Sequence, residues 1–200
     1  MNDLLQRYPQ LSVCREDIEK ALELMIDTYR KKGKILVCGN GGSASDSGHI
    51  VGELMKGFLL SRKVTDERIS TDLREKLQGA LPAISLCCHD ALITAYSNDV
   101  EPDMIYAQQV YGYAKENDLV IGISTSGNSK NVVNAIRVAS DMGVKTIALT
   151  GESGGKVKLY ADVTVKVPAA ETYQIQELHL PVYHYLCAKT EAYFFKAEEE

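Results

Sequence analysis

The chain has 200 residues, 45% of them hydrophobic and 24% charged, with a formal net charge of −5. That length suits one domain with a sizeable core, and the acidic balance excludes a broad nucleic-acid surface while allowing a local anion site. No apolar run approaches a membrane span, and the N-terminal "MNDLLQRYPQ" has no basic stretch followed by an apolar one, so a cytoplasmic protein is expected.

In chain order, "REDIEKALELMIDTYRKKG" places Ile18, Leu22, Met25, Ile26 and Tyr29 at helical spacing and stops at Gly33. "KILVCG" reads as a short buried strand ended by glycine, and Ser43 to about Phe58 as a helix. The polar "SRKVTDERISTDLREKLQGAL" is either an excursion with a short helix of its own or a mobile flap. "PAISLCC", "DLVIGIS", "VKTIALTG" and "DVTVKV" follow as four more strands, with helical patterns such as "SKNVVNAIRVASDMG" between most of them. A long helix runs from about Glu171 to Lys196, and Pro181 is expected to kink it. Strands alternating with helices imply a parallel sheet covered on both faces. Nothing marks a linker or a repeat, so residues 1–200 are expected to form a single domain. Its parts are an N-terminal helix over about 1–33, an α/β core over about 34–168 and a C-terminal helix over about 170–196. The cysteines Cys14, Cys38, Cys87, Cys88 and Cys187 are odd in number and lack CxxC spacing, which points to free thiols in a reducing compartment.

Ligands of open parallel sheets sit beyond the carboxyl ends of the strands, and two strand ends carry unusual chemistry. In "GNGGSAS", Gly39, Gly41 and Ala44 fit the degenerate dinucleotide pattern. The acid expected about twenty residues further on is missing, and so is a Walker lysine. The second end, "STSGNS", sets four hydroxyls (Ser124, Thr125, Ser126 and Ser129) at the start of a helix. Free N–H groups there bind a phosphate without any cation, whereas a simple helix cap would need one hydroxyl. His49 and Glu53, four apart, share a helical face. On the last helix Gln176 and His184 lie eight apart, about 80° around the axis, and are expected to converge on one cleft. His179 reads as a core or interface residue.

From about Ile35 to the last helix, "CGNGGSASDSGHIVGEL", "SND", "GISTSGNSKNVVNAI", "ALTGESGGK" and "IQELHLPVYH" resemble the sugar isomerase (SIS) domain family in type, order and spacing. Within that family they are most similar to the sedoheptulose 7-phosphate isomerases. The resemblance implies a three-layer α/β/α sandwich around a mainly parallel, flavodoxin-like sheet of five strands. It also implies a homotetramer with sites shared between subunits. Carried over, Asn40, Gly41 and Gly42 resemble the substrate loop, Asn98 and Asp99 the pair near the sugar, and Ser124, Thr125, Ser126 and Ser129 the phosphate cradle. Glu53 and His184 resemble the two proton-transfer residues. His49, Glu53, Gln176 and His184 resemble the zinc ligands of some members, one ion per subunit, and such nitrogen and oxygen donors suit zinc.

The chain departs from the family pattern at three places. Tyr173 stands where an aspartate is common, with Glu171 nearby. "MKG" replaces "TGR", offering Lys56 in place of an arginine, and the charged segment between Ser61 and Gly79 is long.

The expected reaction is an aldose–ketose isomerisation of a phosphorylated heptose, moving a proton between C1 and C2 through an enediol on the way to activated heptoses for surface glycans. Two non-catalytic readings share the motifs: a regulatory protein that binds a replication initiator, and a sugar-phosphate sensor. The terminal helices, with "VYHYLC", Tyr193, Phe194 and Phe195, carry more apolar residues than one sheet face covers, which points independently to a homo-oligomer.

Overall fold

Runs that are apolar at every position, such as "ILVCG" and "LVIGI", become strands buried on both faces. The computed structural model describes residues 1–196. Its strands are β1 (Ile35–Gly39), β2 (Ala83–Ser85), β3 (Leu119–Ile123), β4 (Lys145–Thr150) and β5 (Val163–Lys166). All neighbours pair in parallel, in the order β2-β1-β3-β4-β5. This is the flavodoxin-like order, with its switch point between β1 and β3.

The helices are α1 (Asn2–Arg7), α2 (Arg15–Arg30), α3 (Gly42–Met55), α4 (Thr71–Arg74), α5 (Asp90–Asp99), α6 (Ile105–Tyr113), α7 (Lys130–Asp141) and α8 (Thr172–Phe195). Alternation along the strands sorts the core into two layers. Ile35, Val37, Leu119, Ile121 and Ile123 face α1, α2, α3 and α8, while Leu36, Cys38 and Val120 face α6 and α7. On α7 the stripe Val132, Ala135, Ile136 and Ala139 lies flat on the sheet. Gly122 makes that approach possible, since a Cβ there would stand 2.9 Å from both Val132 and Ile136.

Two elements differ from the sequence reading, the N-terminal helix and β2. The stretch expected as one helix over 1–33 is divided, because Pro9 opens a separate 3-10 turn (Pro9–Cys14) between α1 and α2. β2 keeps only three residues of "PAISLCC": as an edge strand it pairs with β1 alone, and the chain turns away after Ser85. α8 is the one long helix expected, Thr172–Phe195, with Pro181 inside it. The charged segment is the excursion with its own short helix, α4, and Arg62 within it is buried. All five cysteines are free. Val182, Tyr183, Leu186 and Cys187 are covered within the chain itself, and Phe194 and Phe195 pack partly against the same core.

Candidate active site

The carboxyl ends of β1 and β3 open the crevice. After Gly39 the chain turns into α3 through Gly41, whose φ of +56° disfavours any residue with a Cβ. Gly42 follows because a Cβ there would stand 2.6 Å from Nε2 of Gln176. The first loop is fixed to the second by a reciprocal amide pair. Asn40 donates to Asn131 and Asn131 donates to Asn40, each at 2.9 Å. The hydroxyl of Tyr106 donates to the Gly39 carbonyl at 2.6 Å. The resulting cavity of about 350 Å³ is lined by Asn40, Gly41, Gly42, Ser124, Thr125, Ser129 and Gln176, with Ser43, Ile123 and Thr172.

Within the second loop, Ser124 donates to the Ser129 hydroxyl at 3.1 Å. Ser129 occupies the cap position of α7 without a side-chain cap bond. The hydroxyl is therefore not spent on the helix; of the first N–H groups of α7, that of Val132 donates to Asn131 Oδ1 at 2.9 Å, and none donates to Ser129 Oγ. Ser126 differs: its hydroxyl accepts from Asn128 N–H at 3.1 Å, and it lines a neighbouring cleft of about 220 Å³ with Glu152 and Ser153. Three of the four expected hydroxyls share the main cavity.

The residues expected to move protons meet elsewhere. His49 Nε2 lies 3.2 Å from Glu53 Oε1 and 3.3 Å from His184 Nε2, and Lys56 Nζ lies 3.3 Å from Glu53 Oε2. The tyrosine hydroxyl of Tyr183 closes the group from behind, 3.1 Å from Asp46 Oδ1 and 3.1 Å from His49 Nδ1. Glu53 is mostly covered, with its side chain 13% exposed. Desolvation holds His184 below the ordinary histidine range, with His49 pushing the same way and Glu53 opposing, so its imidazole is neutral at pH 7.

Gln176 and His184 do not converge on one cleft within the chain. Eight residues of helix separate them by about 12 Å along the axis, so Gln176 serves the N-terminal end of α3 and His184 its C-terminal half. Asn98 and Asp99, at the end of α5, bond to each other at 2.8 Å and do not line this cavity. Tyr173 is exposed and accepts only from Gln174, while Thr172 beside it lines the cavity. A larger cavity, about 540 Å³, lies in the excursion among Lys63, Arg74 and Lys76, away from both strand ends. Sequence reasoning missed Asn131, Tyr106, Asp46 and Tyr183. Asn131, Asp46 and Tyr183 stood inside quoted motifs, but nothing local marked their partners.

Zinc with donors at about 2.0–2.2 Å in a tetrahedron keeps them roughly 3.3 Å apart. The two contacts of His49 Nε2 match two such edges. Among the described residues no group of three or more His, Cys, Asp or Glu side chains is placed to hold a metal ion as it stands. The donor types, two imidazoles and a carboxylate, are those zinc takes, and two of their separations suit it, so the set fits zinc in type without forming a ready site.

A family model described as the SIS domain matches residues 4–151. The chain is 41% identical over 184 residues to the phosphoheptose isomerase of Helicobacter pylori strain Shi470, covering 92% of this chain and 88% of that protein. It is 40% identical over 177 residues to the phosphoheptose isomerase of Aliarcobacter butzleri strain RM4018, covering 88% and 85%. Among solved structures, a phosphoheptose isomerase from Francisella tularensis superposes with a TM-score of 0.79 at 31% identity, over 94% of this chain and 93% of that one. The corresponding structure from Neisseria gonorrhoeae gives 0.72 at 32% identity, over 94% and 98%.

Proposed function

The chain belongs to the SIS domain family, and from that premise we propose that it is a phosphoheptose isomerase interconverting sedoheptulose 7-phosphate and D-glycero-D-manno-heptose 7-phosphate for heptose biosynthesis. The observation that carries the reading is the meeting of Glu53 with His184, from two separate helices, through one imidazole. The Glu53 carboxylate takes the proton from carbon, and the neutral His184 ring donates to or relays between the sugar oxygens. The Lys56 ammonium beside Glu53 places positive charge near the developing enediolate, without the bidentate grip of an arginine. Ser124, Thr125, Ser129 and the N-terminal N–H groups of α7 hold the remote phosphate.

Glu53 lies eleven residues along α3 from Gly42, about 16 Å of helix. That exceeds the reach of a seven-carbon sugar phosphate from its reacting carbons to phosphorus. The proposal therefore includes a homo-oligomer, a tetramer by family resemblance, in which one subunit's cradle works with another's acid–base group. Asn98 and Asp99 then act across the same interface. An unused apolar surface supports this: α5 buries no residue, and Leu92, Val100 and Tyr111 are exposed. Sedimentation as a monomer at micromolar concentration would sink it.

We propose further that His49, Glu53 and His184 hold one zinc ion per subunit; Gln176, the fourth donor that the family resemblance implies, lies against Gly42 about 12 Å along α8 from His184 and does not join them within the chain. When bound, zinc would polarise the sugar carbonyl and stabilise the enediolate. Bound zinc that survives the double change His49→Ala and His184→Ala would remove this assignment.

A cytoplasmic location is part of the proposal; no described helix is long and apolar enough to cross a membrane. The deciding experiment follows deuterium from heavy water into the exchanging carbon of sedoheptulose 7-phosphate. Incorporation at the enzyme's turnover rate is expected. No incorporation would leave a sugar-phosphate binder or a regulatory protein.

A further inference from the structure

The group behind His49 has a proton count that the reaction itself does not require. Tyr183 is 2% exposed, and its hydroxyl has two neighbours, each at 3.1 Å: Asp46 Oδ1 and His49 Nδ1. A phenol owns one proton. That proton goes to Asp46, whose other oxygen, Oδ2, is buried without any hydrogen-bond partner. Among the described residues the Tyr183 hydroxyl is the one hydrogen-bond donor to the Asp46 carboxyl group, and an acceptor so poorly served makes a strong claim on it. His49 then has one ring proton for two contacts, Nδ1 to the phenol oxygen and Nε2 to Glu53 Oε1; the phenol, its own proton given to Asp46, can only accept at the first.

We propose that Asp46 and Tyr183 form a positioning chain that holds His49 as its Nδ1–H tautomer, leaving Nε2 bare toward Glu53 and His184. The histidine side chain in water prefers the other tautomer, so the chain does chemical work on the ring. With the Nε2–H form, His49 would donate its proton to Glu53, 3.2 Å away, and block the carboxylate that has to accept one from carbon. With the Nδ1–H form, Nε2 offers a lone pair to a proton on His184 Nε2, 3.3 Å away, or to a cation set between the three side chains. The same arrangement, a ring nitrogen fixed through its opposite N–H, orients imidazoles toward metals in general. Asp46 and Tyr183 touch no reacting atom; both act through His49.

The inference rests on His49 standing in the reacting centre, but its test does not depend on turnover. Long-range nitrogen–proton correlation spectra of the imidazole distinguish the two neutral tautomers. They are read on full-length, chelator-treated protein at a pH where the ring is neutral, so that no metal on Nε2 sets the answer. The wild-type ring is expected as Nδ1–H. Tyr183→Phe removes the acceptor, and Asp46→Ala frees the phenol proton to be donated to Nδ1. Both variants are expected to turn His49 to Nε2–H while keeping the wild-type circular dichroism. Should one of them fail to fold, the other still decides. In the metal-supplied protein, Tyr183→Phe is expected to lower kcat about 10–100-fold, the range for losing such a partner, with KM little changed. An Nε2–H ring in the wild type, or an Nδ1–H ring that persists in a folded variant, overturns the proposal. A flipped tautomer with undiminished kcat overturns its role in positioning. Failure of the isomerase reading would appear as no deuterium exchange in the wild type, a result separate from the spectrum.

Discussion

Two polar clusters tie the end of α3 to α8, and they are built on opposite terms. In the first, Arg62 and Glu191 meet at 2.7 Å with both side chains fully buried. Glu191 also accepts from the N–H groups of Phe58, Leu59 and Leu60 at 2.7–3.1 Å. Arg62 donates onward to the carbonyls of Leu54 and Glu53 at 2.6 and 3.0 Å, closing α3 where its carbonyls lack partners, and lies over the Phe195 ring. Desolvation pushes the Glu191 carboxyl up, but the Phe58 and Leu59 N–H groups and Arg62 outweigh it and hold the group below its ordinary range. In the second cluster, His49, Glu53 and His184 crowd nitrogen and oxygen atoms together with too few protons to join them all, while His49 and Lys56 stay exposed. A charge whose every site is used has nothing left to offer a substrate. A group left short of one proton or one cation is ready to exchange either. The two are joined at Glu53, whose backbone carbonyl belongs to the first cluster and whose carboxylate belongs to the second.

The largest effect is expected at that shared residue. Glu53→Gln keeps the side chain's size and leaves the carbonyl bond to Arg62, so thermal stability should change little. Deuterium exchange into substrate should fall about 10²–10⁴-fold, the usual contribution of a positioned acid–base group. Exchange at the wild-type rate would remove Glu53 as base. The converse change, Glu191→Ala, leaves Arg62 buried and uncompensated. It should cost about 3–5 kcal/mol in denaturant unfolding, and a loss under 1 kcal/mol would show that the pair is not the clamp described.

His179 extends the contrast to a buried ring with no hydrogen bond at either nitrogen. Burial drives its pKa down to about 4, and the Thr150 backbone nearby opposes this by less. The ring is neutral in the fold, whereas in the unfolded chain it takes a proton below about pH 6.5. Between about pH 4 and 6.5 the unfolded state binds more protons, so stability should fall as pH drops through that window and level off below it. The total is on the order of 3 kcal/mol. His179→Leu should flatten this part of the profile; an unchanged slope would assign it to other groups. The smallest effect is expected in the cradle. Ser129→Ala should weaken binding of inorganic phosphate by about 1.5–3 kcal/mol with unfolding unaffected. Equal affinity in titration calorimetry would reduce the loop to a turn.

The sequence determined what depends on neighbours along the chain. Apolar runs and 3.6-residue stripes are local, so the strands, α2 and α7 were legible from pattern alone. The two glycine- and serine-rich strand ends were legible too, because their chemistry is concentrated within seven residues each. The tertiary structure alone decided which polar groups have partners. Arg62 sits in a segment that reads as solvated, and it is buried only because Glu191, 129 residues away, arrives with a matching charge. Tyr183 reads as one more apolar position of α8, yet Asp46, 137 residues away, claims its proton. Conversely, Gln176 and His184 share a helix and still serve different ends of α3, since the rise per residue separates them. Hydrogen bonds and ion pairs require contact at about 3 Å. Contacts between residues far apart in sequence exist only once the sheet has brought α3 and α8 together.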